Sequence, residues 1–266
     1  AKGERKVGHF TDAPEVLDFV NSNALDALAP LGTSCPDHFL RTKIRPLVLP
    51  FEPAVGGVAA LTARLEPLIE EFRDGYRAYH ERCRNSNSPK VRDANPIVYL
   101  VPGVGMLAFA RDKAAARIAC EYYTNAINVM RGASGVDAYV GLPEQEAFDI
   151  EYWLLEEAKL QRLPKPKSLA GRIAYVTGGA GGIGQAIAAR LLSEGAGVVL
   201  ADIDGKSLEE VVHGFGTTYG RDNVRGLVVD VTSEAAVERS FADAVLAYGG
   251  IDILVSNAGF ASAAAV

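Results

Sequence analysis

Thr177, Gly178, Gly182 and Gly184 stand in the spacing T-G-x-x-x-G-x-G, and Gly179, Gly181 and Gly184 fit the overlapping G-x-G-x-x-G. Ahead of them runs Ile173–Val176, apolar and β-branched at both ends, as suits a buried parallel strand. Behind them Gln185–Leu192 takes up helical periodicity, with Ile187, Leu191 and small alanines on one side. A strand, a glycine turn and a helix start bring unpaired backbone N–H groups and the positive end of a helix dipole to one point. The chemistry they suit is the binding of a phosphate.

A second chemical element lies 24 residues beyond Gly178, where the apolar run Val198–Ala201 ends in Asp202. A carboxylate there can accept both hydroxyls of an adenosine ribose and repels a 2′-phosphate. The glycine turn holds no Lys or Arg to offset that repulsion, so NAD is expected rather than NADP. Asp204 is expected to cap the following helix and leave Asp202 free. The third element is Cys35-Pro-Asp-His-Phe-Leu-Arg-Thr-Lys. Cys35, Asp37 and His38 could coordinate a metal, and Arg41 with Lys43 could hold a phosphate or carboxylate. Three metal ligands, two of them adjacent in sequence, fall short of the usual set. Satisfaction of local backbone groups is the expectation, and no metal ligand is assigned.

These elements need a scaffold. After residue 168 the chain reads β-α-β-α-β-α-β, with strands near 172–177, 197–201, 224–230 and 252–256. Short apolar strands alternating with helices predict parallel βαβ units and the start of a doubly wound sheet. Before it, Pro14–Val20 and Asn23–Ala29 read as short helices, the second capped by Asn23. Ile44–Phe51 reads as extended. Val58–Arg82 carries the stripe Leu61, Leu65, Leu68, Phe72, Tyr76 and Tyr79, expected as core, with His80 structural. Pro67 predicts a kink or two consecutive helices. Arg84–Ala94 reads as a loop, Pro96–Val101 and Met106–Ala110 as strands around Pro102-Gly-Val-Gly, and the residues after Arg111 as a helix. A further helix is predicted from Pro143 to Ala158, its glutamates (Glu144, Glu146, Glu151, Glu156, Glu157) and Asp149 forming a solvated acidic face. Leu163-Pro-Lys-Pro-Lys-Ser reads as a linker. The predicted domains are therefore 1–163, a linker at 164–168, and 169–266.

The bulk of the sequence bounds the rest. Its 266 residues are 48% apolar with a net charge of −6, which suits one large or two ordinary globular domains. No basic stretch is long enough to track nucleic acid, and no run reaches membrane-spanning length. Cys35, Cys83 and Cys120, odd in number and widely spaced, suit a reducing cytoplasm. The N-terminus does not read as a signal peptide. A start without Met and a stop just after a strand predict an internal fragment of a longer protein.

The glycine turn and three further landmarks resemble the short-chain dehydrogenase/reductase family. The resemblance assigns cofactor contact to Thr177, Gly178, Gly182, Ile183 and Gly184. It places Asp202 on the adenosine ribose. In Val228-Val-Asp230-Val-Thr, Asp230 and the amide of Val231 would contact the adenine amino group. Asn257, Ala258 and Gly259, in Ser256-Asn-Ala-Gly, match the family's Asn-Asn-Ala-Gly with Ser256 in the first position. Ile97–Met130 resembles part of the class II aldolase/adducin fold, with Val104 where that family places a metal-binding histidine. Together with Cys35–Lys43 and Glu151-Tyr-Trp-Leu-Leu-Glu-Glu-Ala-Lys-Leu, these segments resemble bifunctional rhamnulose-1-phosphate aldolase/short-chain dehydrogenases.

That resemblance implies an α/β chain: an α+β aldolase-like region, partial or degenerate, followed by the first half of a Rossmann-type sheet. It implies an NAD-dependent oxidoreductase fused to an aldolase, acting on a small sugar phosphate, aldehyde or alcohol, and assembling as a homo-oligomer. Zinc is expected only in an upstream aldolase part. The family's Ser, Tyr and Lys centre lies beyond the Asn-Ala-Gly segment, and only seven residues, the last of them Val266, follow Gly259. The catalytic centre is therefore expected beyond Val266. Tyr219 and Tyr248 have Asn223 and Asp252, not Lys, four residues on. No catalytic residue is assigned, and this chain is expected to be inactive as a dehydrogenase. The alternatives are a noncatalytic dinucleotide-binding or scaffold module, or aldolase function alone.

Overall fold

A computed structural model describes residues 5–162 and 164–259, and the chain divides into two units. Leu163, the first residue of the expected linker stretch, residues 1–4 and the Ala-Ser-Ala-Ala-Ala-Val end lie outside the described residues. Val266 belongs to that end, so the catalytic centre expected beyond Val266 also lies outside the described residues. One unit takes in His9–Ala110 and Ala115–Pro164. The other takes in Arg5–Gly8, Arg111–Ala114 and the chain from Lys165 onward.

In the first unit β1 (Val7–Thr11), counted there from His9 on, α1 (Pro14–Val20), α2 (Leu25–Leu28), α3 (Phe39–Thr42) and β2 (Leu47–Val48) precede the long α4 (Gly57–Cys83). Then follow β3 (Val98–Val101), β4 (Gly105–Ala110), α5 (Lys113–Ser134), counted there from Ala115 on, α6 (Glu144–Glu151) and α7 (Leu154–Gln161). The sheet order is β1-β4-β3-β2; β2 pairs parallel to β3 (Leu47 with Tyr99) and β3 antiparallel to β4 (Val98 with Ala108). Val98, Leu100 and Met106 meet Tyr123, Ile127 and Met130 of α5 and Val16 and Phe19 of α1 in the main core. Each such fully buried side chain contributes on the order of 1.5–3 kcal/mol.

Three local expectations change here. Asn23 does not cap a helix; α2 starts at Leu25 behind Ala24, and a single 3₁₀ turn, Ala29–Leu31, follows it. Pro67 does not divide α4, which runs unbroken for 27 residues. Pro67 and Ala63, whose carbonyl the proline ring leaves without a helical N–H, both face solvent, so water can satisfy that carbonyl. Leu61, Leu65 and Leu68 meanwhile pack on Leu47, Leu49 and Val101. The helix expected from Pro143 to Ala158 is two helices. Pro143 is the residue before the first, and Trp153, extended at φ −60° and ψ 129°, separates α6 from α7. The chain turns there because Tyr152 is drawn inward, stacked on Phe148 at 4.6 Å.

The second unit is built from β5 (Ile173–Thr177), α8 (Gly182–Ser193), β6 (Gly197–Asp202), α9 (Gly205–Tyr219), β7 (Val224–Val228), α10 (Glu234–Tyr248) and β8 (Ile253–Val255). All pairings are parallel, in the order β7-β6-β5-β8. Period-two alternation gives β5 and β6 two buried faces. Ile173, Tyr175, Val199 and Ala201 meet α10 through Ala244 and Tyr248. Ala174, Val176, Val198 and Leu200 meet α8 and α9 through Ala188, Leu192 and Leu208. Helices on both faces of a parallel sheet make the doubly wound arrangement that the apolar pattern predicts. From β5 the chain steps to β6 and β7 on one side and returns to β8 on the other. That reversal opens a crevice at the carboxyl end of β5, the place where such sheets bind ligands.

Candidate dinucleotide site

Every residue that the motifs single out in the second unit lies at the carboxyl end of a strand. Thr177 closes β5, Asp202 closes β6, Asp230 follows β7 by two residues, and Asn257–Gly259 follow β8. Parallel pairing makes these ends neighbours.

The glycine turn is shaped by two steric demands. Gly178 has φ +64°, and a Cβ there would sit 2.9 Å from Nδ2 of Asn257 and 3.0 Å from Cα of Ala258. A Cβ on Gly184 would come within 2.1 Å of the Gly178 carbonyl oxygen. Neither position admits another residue without moving backbone. Gly182 differs: nothing lies within 4 Å of the place its Cβ would take. Gly182 therefore relieves no internal clash and begins α8 on open surface. No side chain caps the start of that helix, and the N–H groups of Gly182, Ile183 and Gly184 have no intrahelical acceptor. The residues present fit a pyrophosphate: open space, unpaired donors and a helix dipole of the right sign. Ile183 is exposed, beside the turn.

The carboxylates are held by local bonds. Asp204 caps α9 by accepting from Ser207 N at 3.1 Å, as expected. Asp202 is not left free by that arrangement. Its Oδ2 accepts from Ala180 N at 2.9 Å and its Oδ1 from Asp204 N at 3.0 Å, because the turn bends back over the end of β6. Asp230 Oδ1 accepts from the hydroxyl of Thr232 at 2.7 Å and from its amide at 2.9 Å, which hold the carboxyl below the usual range. Ser233 caps α10. Val231 stays partly exposed beside Asp230.

Thr177 ties the two central strands together at the site. Its Oγ1 accepts the amides of Asn257 at 2.9 Å and Ala258 at 3.0 Å and lies 3.4 Å from the Val255 carbonyl oxygen. Asn257 Nδ2 returns bonds to the carbonyls of Thr177 at 3.0 Å and Gly178 at 3.2 Å. Gly259 closes the segment and is exposed. Tyr248 takes no part in the site. It is buried, and its hydroxyl donates to the Asp222 carbonyl at 3.3 Å.

In the first unit the Cys35–Lys43 cluster is divided: His38 and Lys43 turn inward, while Asp37 and Arg41 stay exposed. His38 is buried, with Nδ1 3.0 Å from Thr33 Oγ1 and its ring stacked on Tyr122 at 4.9 Å. Burial lowers its pKa against the pull of Asp37. Among the described residues no group of three or more His, Cys, Asp and Glu could hold a metal ion. Lys43 is buried, donates to the Asp93 carbonyl and lies 3.6 Å over the ring of Tyr76. It does so at φ 62° and ψ 178°, a conformation costing on the order of 1–3 kcal/mol for a residue with a Cβ.

The acidic face expected on 143–158 is not wholly solvated. Glu151 is 2% exposed and accepts from Tyr76 at 2.5 Å and Tyr79 at 3.3 Å. Its position was legible in one respect: it falls three and four residues after Phe148 and Ala147, within the buried stripe of α6.

Residues 1–160 match the model of the family "Aldolase class II, second domain", and the chain belongs to that family. Residues 172–266 match the short chain dehydrogenase model, so an aldolase class II domain is followed by a short-chain dehydrogenase domain. The chain is 36% identical over 253 residues to "Uncharacterized oxidoreductase YuxG" of Bacillus subtilis (strain 168), covering 95% of this chain and 37% of that protein. It thus spans little more than a third of that relative's length. A 2-dehydro-3-deoxy-L-rhamnonate dehydrogenase (NAD(+)) of Sphingomonas sp. (strain SKA58) is 39% identical over 94 residues, 35% of each chain. Among solved structures, NAD+-bound xylitol dehydrogenase is 37% identical over 35% of each chain, with a TM-score of 0.34. No helix among the described residues is long and apolar enough to cross a membrane.

Proposed function

We propose that the second unit binds NAD as the nucleotide-binding start of a short-chain dehydrogenase, within an oxidoreductase that also carries an aldolase-type region. The observation that carries this reading is the start of α8, whose first-turn N–H groups receive no side-chain cap and which begins at Gly182 on open surface. Those groups, from Gly182 to Gly184, take the pyrophosphate. Asp202 takes the adenosine ribose and disfavours a 2′-phosphate, while Asp230 and the Val231 amide meet the adenine amino group. Thr177, Gly178 and Asn257–Gly259 hold the crevice open on the ribose side, with Ile183 at its mouth. NAD, when bound, supplies hydride transfer.

In this reading the domains are 1–163 and 169–266, joined by a linker at 164–168. The aldolase-like region, with Val104 in its turn, holds no zinc. The substrate class is a 6-deoxyketose 1-phosphate, cleaved to lactaldehyde, whose oxidation or reduction falls to the dehydrogenase in a cytoplasmic homo-oligomer. This chain by itself is inactive as a dehydrogenase, since none of its tyrosines has Lys four residues on. The same observation favours a second reading, a dinucleotide-binding module without catalysis. A Tyr-x-x-x-Lys element beyond Val266 in a longer form supports the enzyme, and its absence there supports the module.

Calorimetric titration of the chain tests the site. NAD+ is expected to bind and NADP+ to bind at least tenfold more weakly; failure of both to bind sinks the reading. Turnover of any small alcohol by this chain would overturn the claim of inactivity.

A further inference from the structure

We propose that Gln185 is a positioning residue for the nucleotide-binding turn, acting with Asp202 as a clamp on the two peptide groups that flank Ala180. The proposal rests on the reading of this turn as a dinucleotide site. Gln185 Nε2 donates to the Ala180 carbonyl at 2.7 Å, and the Ala180 amide donates to Asp202 Oδ2 at 2.9 Å. One peptide is thus gripped through its N–H and the next through its C=O. Because each peptide is planar, holding both sets the direction in which the chain leaves Ala180 for Gly181 and α8. Gly179 N donates to the Ala201 carbonyl at 3.1 Å and Gly181 N to the Gly178 carbonyl at 3.2 Å, which completes the frame around them.

The need for such a clamp follows from composition. Five of the seven residues from Gly178 to Gly184 are glycine, the residue that loses most backbone freedom on ordering. A turn held in its binding shape before the nucleotide arrives avoids that cost at the binding step. Gln185 sits in the first turn of α8, where side chains lean back toward the helix N-terminus. A side chain of this length that donates from its end reaches the Ala180 carbonyl; methionine has the reach without the donor. The other jaw, Asp202, is also the residue assigned to the ribose. The ribose contact and the pyrophosphate turn therefore share one carboxylate.

The test uses the full chain with adenosine and ADP as probes, and amide hydrogen exchange over residues 179–184 in the absence of nucleotide. Gln185→Met is expected to weaken ADP about tenfold while changing adenosine less than twofold, and to speed exchange in the turn about tenfold with β5 and α9 unchanged. The double variant Gln185→Met/Asp202→Ala is expected to lose less ADP affinity than the product of the two single losses. Equal weakening of both probes, fully multiplicative losses, or unchanged exchange in the turn would each overturn the clamp. If the unmodified chain binds neither probe, the dinucleotide reading fails by itself, and the exchange measurement still decides whether Gln185 holds the turn.

Discussion

The hydroxyl of Tyr76 lies 2.5 Å from Oε1 of Glu151, and both groups are buried in the first unit. The bond is the end of a directed chain. The Arg92 amide, which can only donate, points at the Tyr152 hydroxyl at 3.3 Å. Tyr152 and Tyr76 hydroxyls are 2.8 Å apart, and since Tyr76 donates to Glu151, donation runs from Arg92 through both phenols to the Glu151 carboxyl group. Lys43 over Tyr76 and the guanidinium of Arg92, 5.1 Å from the centre of the Tyr152 ring, place positive charge around it.

Removing the end of that chain is therefore expected to cost far more than a surface glutamate. Glu151→Ala should destabilise the first unit by about 2–5 kcal/mol, since it leaves the buried Tyr76 hydroxyl without its acceptor and opens a cavity in the core. Glu151→Gln keeps the shape and should cost about 1–3 kcal/mol. Urea unfolding of the full chain, followed in the first unit by Trp153 fluorescence, measures both; a change below about 0.5 kcal/mol in the alanine variant would contradict the buried network.

Burial raises the Glu151 carboxyl above its ordinary value of 4.5, opposed by the Tyr76 bond and by Lys43 and Arg92. The folded state thus keeps the proton at pH values where the unfolded chain has released it. Stability from this group is fully present below about pH 4.5 and is lost as pH rises through the folded pKa. The difference in unfolding free energy between the parent chain and Glu151→Gln, measured from pH 4 upward, should fall with rising pH and then level off. A difference that rises instead would reverse the sign.

The two ends of the glycine turn should respond differently to one methyl group. Gly184→Ala meets the Gly178 carbonyl at 2.1 Å and is expected to lose about 1–3 kcal/mol of stability together with nucleotide binding. Gly182→Ala meets nothing within 4 Å and should leave the melting temperature within about 2 °C while weakening NAD+ at least tenfold. Melting curves and calorimetry on both variants distinguish the two effects; unchanged NAD+ affinity in Gly182→Ala would remove the reason for the open space.

Thr177→Val keeps the shape of the side chain and deletes the acceptor of two amides, those of Asn257 and Ala258. The expected cost is about 1–3 kcal/mol, with faster amide exchange at those two residues. Protection that stays unchanged there would show that β8 is held to β5 without the hydroxyl.

The second unit was largely legible because its signals are local. Strand, turn, helix and capping residue are contiguous in sequence, and the left-handed φ of +64° at Gly178 is one that glycine adopts freely, while its close approach to Asn257 and Ala258 is set by the sheet. The break at Trp153 and the continuity of α4 through Pro67 were not legible. Each depends on which side of a helix faces solvent, and that is decided by partners such as Phe148, Leu47 and Val101 rather than by the helix itself.

The amino-acid sequence by itself determined the alternating parallel units, the glycine spacing that admits a phosphate, and the carboxylate at the end of β6. All of these follow from short-range periodicity and backbone sterics. Only the tertiary structure decided that Asp202 and Gln185 close on Ala180 from opposite sides, and that Glu151 leaves the acidic face of its helix for the hydroxyls of Tyr76 and Tyr79. A hydrogen bond between residues 75 positions apart is set by the packing that excludes water from both, and no local pattern records where that packing falls.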